Sequence, residues 1–158
     1  MKVLSLLQPW AQFVVTDQPS AEEEILAIKS WETRGWQPSK ENKEIIRSEG
    51  LLIHASKPWK KAQRDVMKEW PFMFYDRFIT PYYFGKIIGR VTVGRIIPTE
   101  NWKKEFNPQL PDTIGRIKHE FAMGDYRNGR FAWEFTSFEL FKEAIPAKGK
   151  LSLWDFEI

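Results

Sequence analysis

Residues 26–36, LAIKSWETRGW, place three ionisable side chains, Lys29, Glu32 and Arg34, among large apolar ones. A lysine can donate to a carbonyl or phosphate oxygen, a carboxylate can accept from an amine, and an arginine can hold the carboxylate or bind phosphate. On the floor of a pocket, the three would bind a flat polar molecule. On the surface they would form an exposed ion pair worth at most about 1 kcal/mol, and spacing alone favours this second interpretation.

The spacing also limits how the three charges can meet. In one unbroken strand, Glu32 and Arg34 share a face and Lys29 lies opposite. Lys29 therefore reaches Glu32 only if it lies in a loop before the strand or if a bulge intervenes. The sequence leaves both arrangements open.

Strands are predicted on both sides of this cluster because apolar residues alternate there. The first stops before Pro9, which suits the first position of a short helix bearing Trp10 and Phe13. Gly89 and Gly94 inside the fourth strand predict bends that curl a sheet. The predicted strands are residues 2–8, 26–36, 51–56, 86–97 and 129–141, with a closing strand within 145–158.

Helices are predicted in two further places. One starts near Pro58 and carries Trp59, Ala62, Val66 and Trp70 on one face. Another lies around residues 114–121, inside an insertion at about 98–128. Loops are predicted at residues 16–24 and 37–50. The chain is thus predicted to be one α+β domain over 1–158, a small β-barrel or curled mixed sheet with two to three flanking helices.

Composition excludes several classes of protein. The 158 residues contain no cysteine and two histidines, so disulfides and thiolate sites are excluded, and we expect no metal and no cofactor. The first residues are too short an apolar run for a signal peptide or membrane span, which predicts a cytoplasmic protein without a membrane partner. The net charge of +3 is compatible with nucleic acid but decides nothing. Eight tryptophans are a surplus that predicts some aromatic rings in a cleft.

Gln8 and Trp10 lie where a strand ends and a helix begins, a common rim for a pocket. Trp10 could stack on a base or be a core residue on the helix face, and the core role is favoured. Trp31 and Trp36 flank the charged cluster and could form the walls of the pocket, and one of them is expected in the core. His54 is expected to be a hydrogen-bonded structural residue.

Three more candidates lie further along the chain. Ser56 most simply caps a helix, or joins Lys57 in binding a ligand phosphate. Tyr126, in a loop before a strand, is a candidate lid or stacking residue. The candidate ligand-binding set is Gln8, Trp10, Lys29, Trp31, Glu32, Arg34, Ser56, Lys57 and Tyr126.

Six segments in order along the chain resemble the successive motifs of the ASCH domain, the activating signal cointegrator homology domain, which is related to the PUA fold. The family signature is G-x-K-x-x-E-x-R; Lys29, Glu32 and Arg34 fit it, and Ala27 takes the glycine position. The segments are LSLLQPWAQFVV, IKSWETRGW, LLIHASK, GKIIGRVTV, GRFAWEF and IPAKGKLSLWDF.

The resemblance implies a PUA-like barrel with these charges in a cleft that binds RNA, a nucleotide or a nucleoside. It also implies an alternative, since some similar proteins hydrolyse acetylated cytidine and others are ribonucleases. In a hydrolase, Lys29 and Glu32 would be the catalytic pair. The amidohydrolase branch has a threonine where this chain has Glu32, so that hydroxyl nucleophile is absent. A protein-interaction domain is the third hypothesis, and the sequence predicts no oligomeric state.

Overall fold

The computed structural model describes residues 1–18, 26–79 and 81–158. The loop predicted at residues 16–24 lies mostly outside them. The strands of this part are β1 (Lys2–Leu6), β2 (Trp31–Arg34), β3 (Leu51–Ala55), β4 (Lys86–Pro98), β5 (Phe131–Pro146) and β6 (Leu153–Asp155). Its helices are α1 (Trp10–Phe13), α2 (Lys40–Glu49), α3 (Lys61–Val66), α4 (Phe72–Asp76), α5 (Thr99–Phe106) and α6 (Gly115–Met123).

The strands form one curled mixed sheet, a half-barrel with the order β2-β5-β4-β3-β1-β6. β1 and β3 run parallel, and the other neighbouring strands are antiparallel. The predicted α+β class with a curled sheet is confirmed. Six helices flank the sheet in the described residues, rather than two or three, because most of them are single short turns or lie in segments predicted as loops.

Long strands β4 and β5 give the sheet its curl. Their pairing shifts register between Ile87 and Gly89 and again between Val93 and Ile96, so both predicted glycine bends are confirmed. At Gly89 the two strands approach so closely that a Cβ atom would lie 2.3 Å from the Glu139 carbonyl oxygen. Only glycine fits there without moving a backbone.

The loop predicted at residues 37–50 is wrong, because most of that segment is helix α2. Ser39 caps it by accepting a hydrogen bond from the Asn42 amide at 3.2 Å. Gly50 ends it with a φ of +83°, and Ile46 is its fully buried anchor. The predicted helix from Pro58 is shorter than expected: α3 ends at Val66.

Four of the eight tryptophans, Trp31, Trp102, Trp133 and Trp154, are buried in the core. Trp133 is fully buried on β5 and packs edge-to-face against Trp36, with ring centroids 5.1 Å apart. Within the predicted insertion, α5 contributes the fully buried Trp102, which packs edge-to-face against Trp31. Across the described ranges, no helix is long and apolar enough to span a membrane.

A charged cavity as the candidate binding site

Lys29 and Glu32 meet because Lys29 lies just before β2 while Glu32 lies on it, which is the first of the two arrangements left open by the sequence. The Lys29 ammonium donates to Glu32 Oε2 at 2.8 Å and also to the Trp31 carbonyl oxygen. Both side chains are buried, with 1% of Lys29 and 7% of Glu32 exposed. Arg34 adds a second cation, its Nη1 atom lying 3.7 Å from Glu32 Oε1. The cluster is therefore a largely buried triad, not an exposed ion pair.

The triad lines a cavity of about 380 Å³, which we call the charged cavity. Ligand pockets commonly measure about 300 to 1,000 Å³, so this one suits a small molecule or a single base. Its apolar wall includes Leu7, Trp10 and Phe72. Its charged residues are Lys29, Glu32, Arg34, Asp125 and Arg130.

Trp10 is one of the predicted site residues that does line the charged cavity. Its indole Nε1 donates to the Met123 carbonyl oxygen at 3.0 Å, and its ring packs edge-to-face against Phe72, 5.9 Å between centroids. The indole is thus held in place on one edge while part of the side chain remains exposed. This combination suits a stacking surface for a flat ligand.

Glu120 on α6 fixes the segment that carries the triad. Its carboxylate accepts from the Ser30 amide at 2.6 Å and the Trp31 amide at 3.3 Å, and it pairs with Arg116 at 3.3 Å. Only 1% of the residue is exposed, and burial raises the pKa of Glu120 while Arg116 and Lys29 oppose that shift. Glu120 was not predicted from the sequence as a site residue. The only signal is its i,i+4 spacing from Arg116, which does not connect it to residues 30 and 31.

Asp125 and Arg130 are partly exposed lining residues of the cavity that the sequence did not predict. The Thr33 hydroxyl accepts from the Asp125 amide at 3.0 Å, and Arg130 Nη2 donates to the Thr33 carbonyl oxygen at 3.2 Å. Hydrogen bonds from Arg127 are the largest cause that lowers the pKa of Asp125 to about 2. Asp125 is therefore an anion at neutral pH, and Arg130 is tied to β2.

Three of the predicted site residues are buried away from the charged cavity. Gln8 is fully buried, and its amide donates to the Tyr83 carbonyl oxygen at 2.8 Å. Trp31 points into the core with Trp102, and Tyr126 packs on Trp102 with ring centroids 4.1 Å apart. Tyr126 is 4% exposed, and burial raises its pKa well above the usual value. None of the three lines the charged cavity.

Ser56 and Lys57 lie in a second, larger cavity of about 880 Å³. It adjoins the charged cavity at Leu7 and Arg34, which line both. Ser56 does not cap α3, because Lys60 occupies the N-cap position of that helix. The predicted capping role of Ser56 is therefore wrong.

His54 has the hydrogen-bonded role that the sequence predicts. Its Nε2 donates to the Ala147 carbonyl oxygen at 2.8 Å, since a carbonyl can only accept. Its Nδ1 lies 3.1 Å from the Ser5 hydroxyl, which itself accepts from Trp154 Nε1 at 3.1 Å. A neutral imidazole is consistent with this series of hydrogen bonds, in which the Ser5 hydroxyl donates to Nδ1.

We expect His54 to make stability depend on pH. Burial lowers the pKa of His54 below 6.5, so the unfolded chain binds more protons than the folded one just below that value. Stability should therefore be lost as pH falls from about 6.5 through the lower folded pKa. Denaturant unfolding between about pH 7.5 and pH 5.5 should show a larger loss for the wild type than for His54→Gln, whose amide can still donate to Ala147. An equal loss in both proteins would contradict this.

Neither a metal site in the described residues nor a known family is found for this protein. In residues 1–18, 26–79 and 81–158, no group of three or more histidine, aspartate or glutamate side chains could hold a metal ion. A scan against models of protein families finds no match for the chain. A search of curated proteins finds no matching relative. The ASCH resemblance accordingly stays a prediction.

Proposed function

We propose that this protein is an ASCH-type, PUA-like domain that binds a nucleobase of RNA, or a nucleotide, in the charged cavity. The observation that carries the proposal is the buried Lys29–Glu32 pair, 2.8 Å between its charged atoms, on the floor of a cavity walled by Trp10. A buried ion pair is weak evidence for stability, since apolar residues would often serve as well. Because the ion pair lines an open cavity, we infer that it recognises a ligand.

The pair suits the polar edge of a base. Two of the three Lys29 donors have partners among the described residues, which leaves a third for a carbonyl oxygen of the ligand. Glu32 can accept from an exocyclic amine or ring N–H beside that carbonyl. A donor next to an acceptor matches a base edge that carries both groups, and such buried polar sites reject analogues that lack one of them.

The rest of the cavity suits the remainder of a nucleotide. Trp10 offers an indole surface for stacking, and base–aromatic stacking is worth about 1 to 3 kcal/mol per base. Arg34 and Arg130 supply guanidinium groups that can bind phosphate. Sequence-specific RNA recognition commonly combines a stacked base with hydrogen bonds to its edge.

Hydrolysis of RNA or of a modified nucleoside has less support. A hydroxyl nucleophile needs an adjacent base to remove its proton. Thr33 is among the residues that line the cavity, but its hydroxyl accepts a hydrogen bond from the Asp125 amide, which is a donor and not a base. Hydrolysis would therefore rest on Lys29 and Glu32 alone, and we favour binding because these two side chains already pair with each other.

Calorimetric titration with nucleosides and short single-stranded RNA tests the proposal. We expect Trp10→Ala to weaken binding by about 1 to 3 kcal/mol and Trp10→Phe to keep most of it, because the ring can still stack. Trp70→Ala is the matched control, since Trp70 is 56% exposed and does not line the cavity. Equal binding by a folded Trp10→Ala variant, or no binding by the wild type, would refute it. The wild-type protein, incubated with RNA or with acetylated cytidine, should yield no hydrolysis product.

A further inference from the structure

The larger cavity beside the charged cavity is a strongly basic groove. Its charged side chains are Arg34, Lys57, Lys148 and Lys150, and its lining includes no aspartate or glutamate. No acidic residue of its own described lining therefore neutralises the positive charge of this cavity. Such a surface attracts a polyanion and holds it with little base specificity. We call these four cations and the cavity they line the basic groove.

Tertiary contacts fix the backbone segments that carry the lysines of the basic groove. Lys148 and Lys150 flank Gly149, where a Cβ atom would lie 2.7 Å from His54 Cε1. This close approach and the bond from His54 to the Ala147 carbonyl oxygen tie their loop to β3. The Lys57 side chain packs against Gly85 with a similarly close contact, since a Cβ atom at Gly85 would lie 2.7 Å from Lys57 Cε. The groove is thus built by tertiary contacts.

A third cavity, of about 390 Å³, adjoins the basic groove at Lys57 and is otherwise aromatic. We call it the aromatic site; its rings are Trp59, Tyr82 and Phe84. Trp59 is 37% exposed, and its ring lies 6.4 Å from that of Tyr82 with a tilt of 30°. An exposed indole beside a lysine is the pattern with which proteins stack a base and neutralise its phosphate.

The three cavities therefore adjoin in a row. The charged cavity meets the basic groove at Leu7 and Arg34, and the basic groove meets the aromatic site at Lys57. A free nucleoside would occupy only the first cavity. A nucleoside triphosphate would extend its phosphates into the basic groove and leave the aromatic site empty. Only a chain of several nucleotides matches all three cavities.

We propose that the basic groove binds the phosphodiester backbone of a single-stranded RNA, with one base in the charged cavity and another stacked on Trp59. This inference rests on the proposed function and specifies its ligand as an oligonucleotide rather than a free nucleotide. Each phosphate neutralised on a single strand contributes about 0.7 to the slope of log affinity against log salt. Three lysines should therefore account for a slope of about 2.

The test compares a nucleoside, a nucleoside triphosphate and a single-stranded RNA hexamer, with affinities measured at several salt concentrations. The groove variant combines Lys57→Ala, Lys148→Ala and Lys150→Ala. Its control combines Lys40→Ala, Lys104→Ala and Lys142→Ala, which remove the same charge from exposed lysines that line none of the three cavities. A third variant, Trp59→Ala, tests the aromatic site alone.

We expect the groove variant to reduce the salt slope of hexamer binding by about 2 and to leave nucleoside binding unchanged. Trp59→Ala should weaken hexamer binding about 5- to 150-fold without affecting the triphosphate. The control variant should bind the hexamer with nearly the wild-type slope. These results together would support the inference.

Two results would overturn it. If the nucleoside binds but the groove variant, or Trp59→Ala, binds the hexamer as the wild type does, the inference fails while the proposed function stands. If neither the nucleoside nor the hexamer binds the wild type, the proposed function fails and the inference with it.

Discussion

Replacing Glu120 with alanine is expected to lower the free energy of unfolding by about 3 to 5 kcal/mol, the usual cost of removing one partner from a buried ion pair. The carboxylate accepts from the amides of Ser30 and Trp31 and pairs with Arg116, and 1% of the residue is exposed. Without it, the two backbone amides lose their acceptor, and Arg116 keeps, among the described residues, only its hydrogen bonds to Gln18, Ile28 and Ser30. Urea unfolding at neutral pH measures the change.

Two further variants separate this effect from a general loss of charge. Glu120→Gln retains one accepting oxygen, so we expect a smaller loss than for alanine. Glu143→Ala, at an exposed position on β5, should change stability by less than about 0.5 kcal/mol. A Glu120→Ala protein as stable as Glu143→Ala would contradict the positioning role of Glu120.

Replacing Lys29 with methionine is expected to affect both stability and binding. The apolar chain fills a similar space but leaves the buried Glu32 with Arg34, 3.7 Å away, as its only cation among the described residues, which should cost at most about 3 to 5 kcal/mol of stability. Loss of the donor to the ligand should weaken RNA binding by about 2 kcal/mol or more, which is about 30-fold in Kd. Urea unfolding and calorimetric titration measure the two effects separately.

The double variant Lys29→Met, Glu32→Gln tells the two effects apart. Removing both charges avoids a buried carboxylate that has lost its nearest cation, so we expect the double variant to be more stable than Lys29→Met alone. Binding should remain weak, because the donor and the charged acceptor are both missing. Recovery of binding together with stability would mean that the pair has only a structural role.

The sheet could largely be predicted from the sequence, because its signals are local. Apolar alternation places β4 at residues 86–97, and the strand is Lys86–Pro98. The glycines at 89 and 94 are signals of the same kind, since each lies where the register shifts. Helix α2 also had local signals, Ser39 as N-cap and Gly50 at its end. Its charged composition led to the loop prediction instead.

The composition of the cavity could be predicted only in part. The spacing of Lys29, Glu32 and Arg34 identified its floor, because these residues are close in sequence. Glu120 holds the segment that carries the floor and Arg130 lines the cavity, each through a contact with a residue 90 or more positions away that no local pattern encodes. Hydrophobicity also could not separate Trp10, which lines the cavity, from Trp31, which is in the core.

The most direct measurement is a crystal structure of the protein with a short single-stranded RNA. We predict one base in the charged cavity, stacked on Trp10, with its polar edge within about 2.6 to 3.2 Å of Lys29 Nζ and a Glu32 carboxylate oxygen. RNA bound on another surface, with Lys29 and Glu32 contacting only each other, would contradict this prediction.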